Sequence, residues 1–342
     1  MPMPPSSAGS EPVNDRPARG GPAIVTTLRD AGPLLDRFIA WHVAAGFARL
    51  YLVFDDPADP DAVRVASRPG VTVIVHDGAL REAWTAQSVY AGLADSIDTE
   101  VMARQILNAA VVMDRARRDG CSWLLHIDID ELFWSPNQSV ADHFSALEAE
   151  PFDVVTYRNL EAAPEADEID DPMGQVTLFK VPPERLPTLP QAALRQALQA
   201  SPRFRTGIFN LYSNGKSAAR LDRPGLEPFG VHDFGRPQAG TARAISARHF
   251  ILHYACCGFQ AFLAKYRRLG RFQDRWWGRY DIAAAIGPFH LQARDVIMTG
   301  DEAAALAFYR ARVAIENPAE AERLLAAGVL ERIIGPARLL RG

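Results

Sequence analysis

Several features that would place the chain in a special class are scarce or missing. Cysteine occurs three times among 342 residues, twice as the adjacent pair Cys256 and Cys257, which cannot build a disulfide framework and is typical of a reduced, cytosolic protein. No uninterrupted apolar run reaches the roughly 18 residues that a membrane span requires. The 37 basic and 41 acidic residues leave a net charge of -4, so no global charge attracts nucleic acids. We expect a cytoplasmic protein without a nucleic-acid partner, with peripheral association at the inner membrane face left open.

By composition the chain divides into a short tail, a main domain and a C-terminal segment. Residues 1–22 are rich in proline, serine, glycine and arginine and have no apolar h-region, so they predict a disordered tail rather than a signal peptide. A hydrophobic content of 48% is enough for a sizeable core. We expect the main domain over residues 23–265 and a helical C-terminal extension over residues 266–342.

Short apolar segments alternate with amphipathic helices in the first half of the chain. The predicted strands there are Ala23–Leu28, Leu50–Phe54, Val71–Val75 and Trp123–Ile127. Strands that are apolar on both faces indicate a parallel sheet covered by helices on both sides, so the expected fold class is α/β. In the second half we predict strands of a mixed sheet at Val154–Tyr157, Val176–Phe179, Ile208–Tyr212 and His249–Tyr254.

The strongest local signal is Asp128-Ile129-Asp130-Glu131, directly after a predicted buried strand. The carboxyl ends of parallel strands line the crevice where α/β sheets bind ligands. Alternate residues of an extended chain point the same way, so Asp128 and Asp130 are predicted to face one ion together. Their oxygen atoms suit a hard divalent cation that also bridges a substrate's phosphates. A solvated strand end with helix-capping acids would give the same pattern.

Further blocks of residues accompany this motif along the chain. They are Arg29 to Pro33, Ile39 to His42 with Gly46-Phe47, Tyr51 to Asp56 with Asp59, Arg104-Gln105 with Asn108 on a helix predicted over Thr99–Arg118, Gly215-Lys216-Ser217, His232, and His253-Tyr254 with Phe262 and Lys265. Together with the D-I-D-E signature they resemble the inverting GT-A glycosyltransferases, of the family 2-like and family 92-like kinds. The resemblance implies a GT-A fold, with three α/β/α layers around a mixed central sheet and a helical C-terminal extension.

A few positions depart from the family's pattern. Asp30 and Ala31 stand where the family usually has Asn and Glu. Tyr157-Arg158 replaces a stretch that usually leads into a loop near the acceptor, and Cys256-Cys257 occupies a Lys-Ser region. These departures leave nucleotide binding as an expectation and leave the identity of the acceptor open.

The resemblance assigns nucleotide contacts to residues at the ends of the first two strands and on one helix. Thr27 and Arg29 would contact the nucleotide, and Asp55 or Asp56 would accept an N–H of the base. Arg104 would approach the diphosphate as a charged donor. The structural alternatives are an Asp-rich turn and a surface arginine.

The resemblance also assigns a metal site. Asp128 and Asp130 would hold Mn²⁺ or Mg²⁺ against the diphosphate, with Asp128 also in contact with the nucleotide sugar. An imidazole from His232 or His253 would complete the metal shell. Either histidine would be equally at home as a hydrogen-bonded core residue, and Lys216 would either reach the diphosphate or stay solvated in a turn.

A mechanism follows from the leaving group. Breaking a sugar–phosphate bond develops negative charge on a nucleoside diphosphate, which a divalent cation neutralises as a Lewis acid. An inverting enzyme also needs a general base near the acceptor hydroxyl. Asp233 is our candidate for that base, with Glu161 or Glu227 as alternatives.

These inferences predict a metal-dependent glycosyltransferase that moves a sugar from a nucleotide-diphosphate donor, with a UDP-sugar favoured, to a glycan or lipid-linked acceptor. Two alternatives remain open. A phosphatase of the haloacid dehalogenase type also uses Asp-x-Asp after a strand, but there the pair normally ends the first strand. A GT-A-like binding module without turnover would tolerate the departures at Ala31 and Tyr157, although the close carboxylates of Asp128 and Asp130 would repel each other without a cation.

Overall fold

The computed structural model describes residues 20–204, 207–238, 240–277 and 280–340, so most of the predicted tail lies outside the described residues. The strands are β1 Ala23–Leu28, β2 Arg49–Phe54, β3 Val71–Val75, β4 Trp123–His126, β5 Glu131–Trp134, β6 Val154–Tyr157, β7 Asn159–Ala162, β8 Leu178–Lys180, β9 Lys216–Arg220, β10 Glu227–Gly230, β11 Asp233–Gly235, β12 Arg243–Ile245, β13 Phe250–His253, β14 Arg275–Trp276, β15 Tyr280–Asp281 and β16 Leu330–Arg332. The α-helices are α1 Pro33–Ala45, α2 Pro60–Val65, α3 Gly78–Thr85, α4 Val101–Arg118, α5 Val140–Glu148, α6 Pro172–Gln175, α7 Gln191–Gln199, α8 Phe259–Leu269, α9 Ile282–Ile286, α10 Phe289–Met298, α11 Glu302–Arg312, α12 Pro318–Ala326 and α13 Gly335–Leu340.

The main sheet has seven strands in the order β12-β6-β9-β4-β1-β2-β3. The strands β4, β1, β2 and β3 run parallel to one another, whereas β9 runs antiparallel to both of its neighbours, β4 and β6. The sheet is therefore mixed, as predicted. Its parallel half corresponds to the four strands predicted in the first half of the chain.

Helices cover both faces of this sheet, because successive side chains of each strand point to opposite sides. In β1, Ile24 belongs to the same core as Phe38 of α1, whereas Val25 belongs to the same core as Leu107 of α4. Helices α2 and α5 add apolar side chains to the first core, and α3 adds them to the second. The predicted three-layer α/β/α arrangement is confirmed.

A second sheet has five strands, in the order β16-β8-β7-β13-β5. Strand β13 lies within a predicted strand and β8 overlaps another, but β5 and β7 were not predicted. Strand β16 comes from the segment predicted as a helical extension and pairs antiparallel with β8. Strands of three or four residues carry little periodicity, so only some of them can be recognised from sequence.

Two side chains of α1 bind the exposed edge of the second sheet. β5 is the last strand of that sheet, and both backbone polar groups of its Phe133 turn toward α1. Trp41 Nε1 donates to the Phe133 carbonyl at 3.0 Å, and the Phe133 N–H donates to His42 Nε2 at 3.2 Å. His42 Nδ1 lies 2.9 Å from the carbonyl oxygen of Phe38, so this nitrogen carries the proton of a neutral ring. The Trp-His pair thus covers a strand edge and connects α1 to the segment that follows Asp130.

The C-terminal segment is mostly helical and is continuous with the main domain. The predicted boundary after residue 265 falls inside α8, whose side chains Phe262 and Tyr266 pack with those of α10 and α11. Within the parts of the chain that the structure describes, none of the helices is both long and apolar enough to cross a bilayer.

The neutral state of His42 makes stability depend on pH. Burial lowers the pKa of His42 from 6.5 to about 3, despite the hydrogen bond to Phe38 that raises it. Below pH 6.5 the His42 ring is therefore protonated in the unfolded chain but stays neutral in the folded chain until the pH approaches 3. The free energy of unfolding consequently decreases as the pH falls through this range. We expect His42→Gln, which keeps an acceptor for Phe133, to reduce this loss by at most about 1.4 kcal/mol per pH unit in urea unfolding. Equal slopes for both proteins would exclude His42 as the source.

Candidate functional site

Three polar side chains of α4 contact the ends of three neighbouring strands. Arg104 donates to Asp55 after β2, Gln105 Nε2 donates to Asp128 after β4 at 2.9 Å, and Asn108 Nδ2 donates to Thr27 at 3.0 Å near the end of β1. Positions 104, 105 and 108 fall on one face of a helix. Because β4, β1 and β2 are parallel neighbours, their carboxyl ends lie at one edge of the sheet, where α/β folds bind ligands.

Asp55 and Arg104 form a bidentate ion pair. The Arg104 Nε and NH2 groups donate to the two carboxylate oxygens of Asp55 at 2.6 and 2.8 Å, and its NH1 group donates to the carbonyl oxygen of Ile97 at 2.7 Å. His76 Nδ1 lies 3.7 Å from one Asp55 oxygen. The two residues that the resemblance assigns to the base and to the diphosphate are therefore bound to each other, which fixes the orientation of both.

Arg29 and Asp56 are the more accessible members of the predicted nucleotide set. The Arg29 side chain is 55% exposed, and its guanidinium lies 3.8 Å from the carboxylates of both Asp30 and Asp56. Thr27 is buried, and its hydroxyl belongs to a chain in which Asn108 also accepts from Trp84 Nε1 at 3.0 Å. Arg29 and Asp56 thus offer an exposed cation and a partly exposed anion beside two strand ends that are held rigidly.

Asp128 is at the centre of a dense polar cluster. One carboxylate oxygen of Asp128 accepts the hydrogen bond from Gln105. The other oxygen lies 2.6 Å from Lys216 Nζ, 3.1 Å from the hydroxyl of Tyr212 and 3.1 Å from His232 Nε2. Burial alone would raise the pKa of Asp128, but the charges and hydrogen bonds of His232 and Lys216 hold that pKa well below its ordinary value. Asp128 is therefore an anion whose oxygens are already bound inside the chain.

Glu131 contacts the same Lys216 ammonium as Asp128. Its carboxylate accepts from the Asp128 N–H at 2.9 Å and from Asn159 Nδ2 at 3.1 Å, and it lies 3.3 Å from Lys216 Nζ. The Tyr212 hydroxyl is 2.9 Å away. Burial, together with the nearby charges of Asp128 and Asp130, raises the pKa of Glu131 to about 8, although Lys216 opposes the shift. Glu131 is thus a buried acid with a raised pKa beside the same ammonium as Asp128.

Asp130 faces a different set of groups. Its carboxylate lies 3.8 Å from His253 Nε2 and 3.6 Å from Lys265 Nζ of α8. Burial lowers the pKa of His253 to about 4, so its ring is neutral, and the ring stacks on Tyr212 with centroids 5.0 Å apart. Asp130 therefore has fewer close partners than Asp128.

The predicted ion does not fit between Asp128 and Asp130 in this arrangement. Strand β4 ends at His126, and the Glu131 N–H donates to the Asp128 carbonyl at 3.1 Å, which closes a turn. The alternation of an extended chain therefore does not apply, and the Lys216 ammonium already pairs with Asp128 and Glu131. Across residues 20–204, 207–238, 240–277 and 280–340, no three His, Cys, Asp or Glu side chains are placed so that they could hold a metal ion. The dependence on Mn²⁺ or Mg²⁺ stays a prediction.

Glu161 anchors a loop and is not placed to act as a base. It forms a buried ion pair with Lys180 at 2.6 Å. Its carboxylate also accepts the backbone N–H groups of Asn210, at 2.9 and 3.0 Å, and of Leu211, at 2.9 Å. The strand predicted at Ile208–Tyr212 is therefore wrong, because these N–H groups bind a carboxylate instead of a neighbouring strand. The loop places Tyr212 on the cluster.

The other two base candidates lie on the small hairpin of β10 and β11. Asp233 follows His232, and one of its carboxylate oxygens accepts from Ser217 Oγ at 3.2 Å, from Arg243 at 2.7 Å and from the Phe234 N–H at 2.8 Å. Its side chain is 40% exposed. Glu227 accepts a hydrogen bond from Ser88 instead. Asp233 thus lies near the cluster through His232, with one oxygen engaged.

Sequence reasoning gave no role to Gln105, Glu131 or Tyr212, which bind or neighbour Asp128. Gln105 and Glu131 were visible only as members of motifs. Tyr212 lies in a segment that was wrongly predicted as a strand.

Lys216 reaches Asp128 because β9 runs antiparallel to β4, so that the first residue of β9 lies at the end of β4. Gly215, at φ +87, lets the chain pass directly against the Tyr157 carbonyl, where a side chain would collide.

Two plant proteins are similar to nearly the whole chain, although no family model matches it. Both come from Arabidopsis thaliana, are described as glycosyltransferase-like, and match 93% of this chain. One is 27% identical over 332 residues, and the chain covers 71% of its length. The other is 25% identical over 338 residues, and the chain covers 62% of its length.

Solved structures with looser similarity include two fungal proteins. Core-mannan synthase A from Aspergillus fumigatus, in its Mn/GDP form, is 13% identical with a TM-score of 0.30, and the match covers 62% of each chain. Mannosyltransferase Ktr4p from S. cerevisiae, in complex with GDP, is 12% identical with a TM-score of 0.29, covering 63% of this chain and 62% of the other. The assignment of the fold comes from the strand order and the core packing described above.

Glu161 offers a direct test of the anchored loop. We expect Glu161→Gln to destabilise the protein by about 3 kcal/mol in urea unfolding, because it leaves the buried Lys180 ammonium unpaired. Amide exchange of Asn210 and Leu211 should become faster as well. The matched control is Glu184→Gln, in a half-exposed pair 3.2 Å from Arg158, which should cost less than about 1 kcal/mol. Equal costs for the two variants would contradict the anchoring role.

Proposed function

We propose that this protein is a glycosyltransferase of the GT-A type, which moves a sugar from a nucleoside-diphosphate donor to a glycan or lipid-linked acceptor with inversion. The observation that carries the proposal is the contact of Arg104, Gln105 and Asn108 of α4 with the ends of β2, β4 and β1. These contacts fix an acidic, hydrogen-bonding edge of a parallel sheet, and such edges bind nucleotides.

The charges at this edge support a nucleoside diphosphate as the ligand. Asp56 and the paired Asp55 lie after β2, where carboxylate oxygens can accept N–H groups of a base. Arg29 and Lys265 are partly exposed cations nearby, suited to the phosphates. The plant relatives described as glycosyltransferase-like, which match 93% of the chain, agree with this ligand class.

The proposed reaction needs one proton acceptor. The acceptor hydroxyl attacks the anomeric carbon, a new C–O bond forms, and the bond to the diphosphate breaks with its electron pair leaving on the diphosphate. Asp233 receives the hydroxyl proton through the oxygen that is not held by Arg243 and Ser217. The rigid pair of Asp55 and Arg104 orients the donor, which lowers the entropic part of the barrier.

A binding module without turnover is the second candidate. Asp55, Arg104 and Asp128 all have close partners within the chain. A site held in this way can bind a nucleotide without catalysing a reaction, and this favours the binding module. Release of nucleoside diphosphate from the bound donor separates the two functions. Sustained release in the presence of wild-type protein would exclude the binding module.

Donor binding can be tested at Asp55. We expect one of UDP, GDP or CDP to bind in calorimetry and to raise the melting temperature by mass action. Asp55→Asn should weaken that binding at least about tenfold. The N–H groups of the nucleotide base lose a charged acceptor, and the Arg104 side chain loses the carboxylate that orients it. The control Asp61→Asn removes an acid from α2 that pairs with Arg64 and should leave affinity unchanged. If none of the three nucleotides binds, the proposed function is wrong.

The general base can be tested by separating turnover from binding. Asp233→Asn should lower kcat by about 10²- to 10⁴-fold and leave the affinity for the nucleoside diphosphate within twofold, since the residue acts only on the acceptor proton. Glu227→Gln serves as the comparison on the same hairpin and should keep its turnover. The reverse pattern would assign the base to Glu227.

A further inference from the structure

Each lysine of this chain lies beside a buried or partly buried acid. Lysine occupies three of the 37 basic positions, Lys180, Lys216 and Lys265, and the remaining basic residues are arginine. Lys180 pairs with Glu161, Lys216 with Asp128 and Glu131, and Lys265 with Asp130. A compact ammonium fits spaces that a planar guanidinium does not, so this distribution indicates sites where a small cation is needed.

Lys216 occupies the position that a divalent cation would need. Its side chain is 0% exposed, and its ammonium lies 2.6 Å from Asp128 and 3.3 Å from Glu131. The ring of Tyr212 lies 4.5 Å from the same nitrogen, which adds a cation–π contact. Gln105 donates to the other oxygen of Asp128, so both oxygens of this carboxylate already have a partner within the protein.

Lys265 is placed to meet a ligand instead. Its side chain is 26% exposed on α8, and its ammonium is 3.6 Å from Asp130 and 3.5 Å from the Ala255 carbonyl, both long contacts. One turn further along α8, Arg268 donates to the Arg29 carbonyl at 2.8 Å, so this helix runs along the ligand edge of the sheet. An ammonium with three donors and only long contacts has capacity for a phosphate oxygen.

We propose that this protein binds its nucleoside diphosphate without a divalent cation, with Lys216 neutralising Asp128 and Glu131 from within and Lys265 donating to the diphosphate. This inference rests on the proposed function. It assigns to two side chains the positive charge that the resemblance assigns to Mn²⁺ or Mg²⁺.

The first test compares nucleotide binding with and without metal. UDP, GDP and CDP are titrated into the full chain in excess EDTA and again in excess Mn²⁺. We expect the nucleotide that binds to show the same Kd within about twofold in both conditions. Binding in Mn²⁺ that disappears in EDTA would overturn the inference and leave the proposed function standing. Absence of binding in both conditions would overturn the proposed function, and the inference with it.

The second test changes one cation of α8. Lys265→Met should weaken the nucleoside diphosphate about tenfold in EDTA, as expected for the loss of one charge-assisted hydrogen bond. The control Arg267→Met removes a positive charge from the same helix, where Arg267 pairs with the exposed Glu302. It should leave the affinity within twofold. An equal loss in both variants would show a general charge effect and overturn the role of Lys265.

The third test reads metal binding directly, by the paramagnetic resonance of Mn²⁺ added to the protein alone. We expect no stoichiometric binding by the wild type, and a new bound signal in Lys216→Met, where Asp128 and Glu131 lose their shared ammonium. Stoichiometric Mn²⁺ binding by the wild type would overturn the inference whether or not the variant folds. A folded Lys216→Met that binds no Mn²⁺ would count against it as well.

Discussion

The arrangement of the site depends on one buried ammonium, that of Lys216. Asp128 and Glu131 both contact the Tyr212 hydroxyl, so without Lys216 two acidic groups would lie close together inside the protein and lose the cation that pairs with both. Strand β9 brings Lys216 to the end of β4, and the loop anchored by Glu161 brings Tyr212 against the same nitrogen. Two long-range elements therefore close around a charge that the local D-I-D-E segment cannot balance by itself.

The second sheet extends this charge balance away from the ligand edge. By strand register, Glu131 lies beside His253, His253 beside Glu161, and Glu161 beside Lys180, across β5, β13, β7 and β8. Four buried titratable residues thus form one row. The row alternates acids with a neutral histidine and a lysine, and it connects the surroundings of Asp128 to the loop that carries Tyr212. The second sheet is for this reason part of the site and more than a structural addition.

Several residues that resemble family motifs are hydrogen-bonded to one another or to the backbone. Asp55 and Arg104 were assigned to different parts of a nucleotide, yet each completes the hydrogen bonding of the other. Trp41 and His42, which also belong to a motif, bind the backbone of Phe133 at a sheet edge. The motif residues form hydrogen bonds with other groups of the chain. These bonds hold the ligand edge of the sheet in a rigid and partly exposed arrangement.

The sequence by itself determined the parallel half of the main sheet and the α4 helix. The strands are continuous apolar runs because both of their faces are buried, and the helix repeats its residues at helical spacing. Ala23–Leu28 and the face of Arg104, Gln105 and Asn108 were therefore visible locally. Only the tertiary structure decided where Lys216, Tyr212 and Glu161 act. They lie 30 to 88 residues from Asp128 or Glu131 along the chain, on a short strand, a loop and a second short strand. Charge compensation across such separations is set by strand order, which no local pattern encodes.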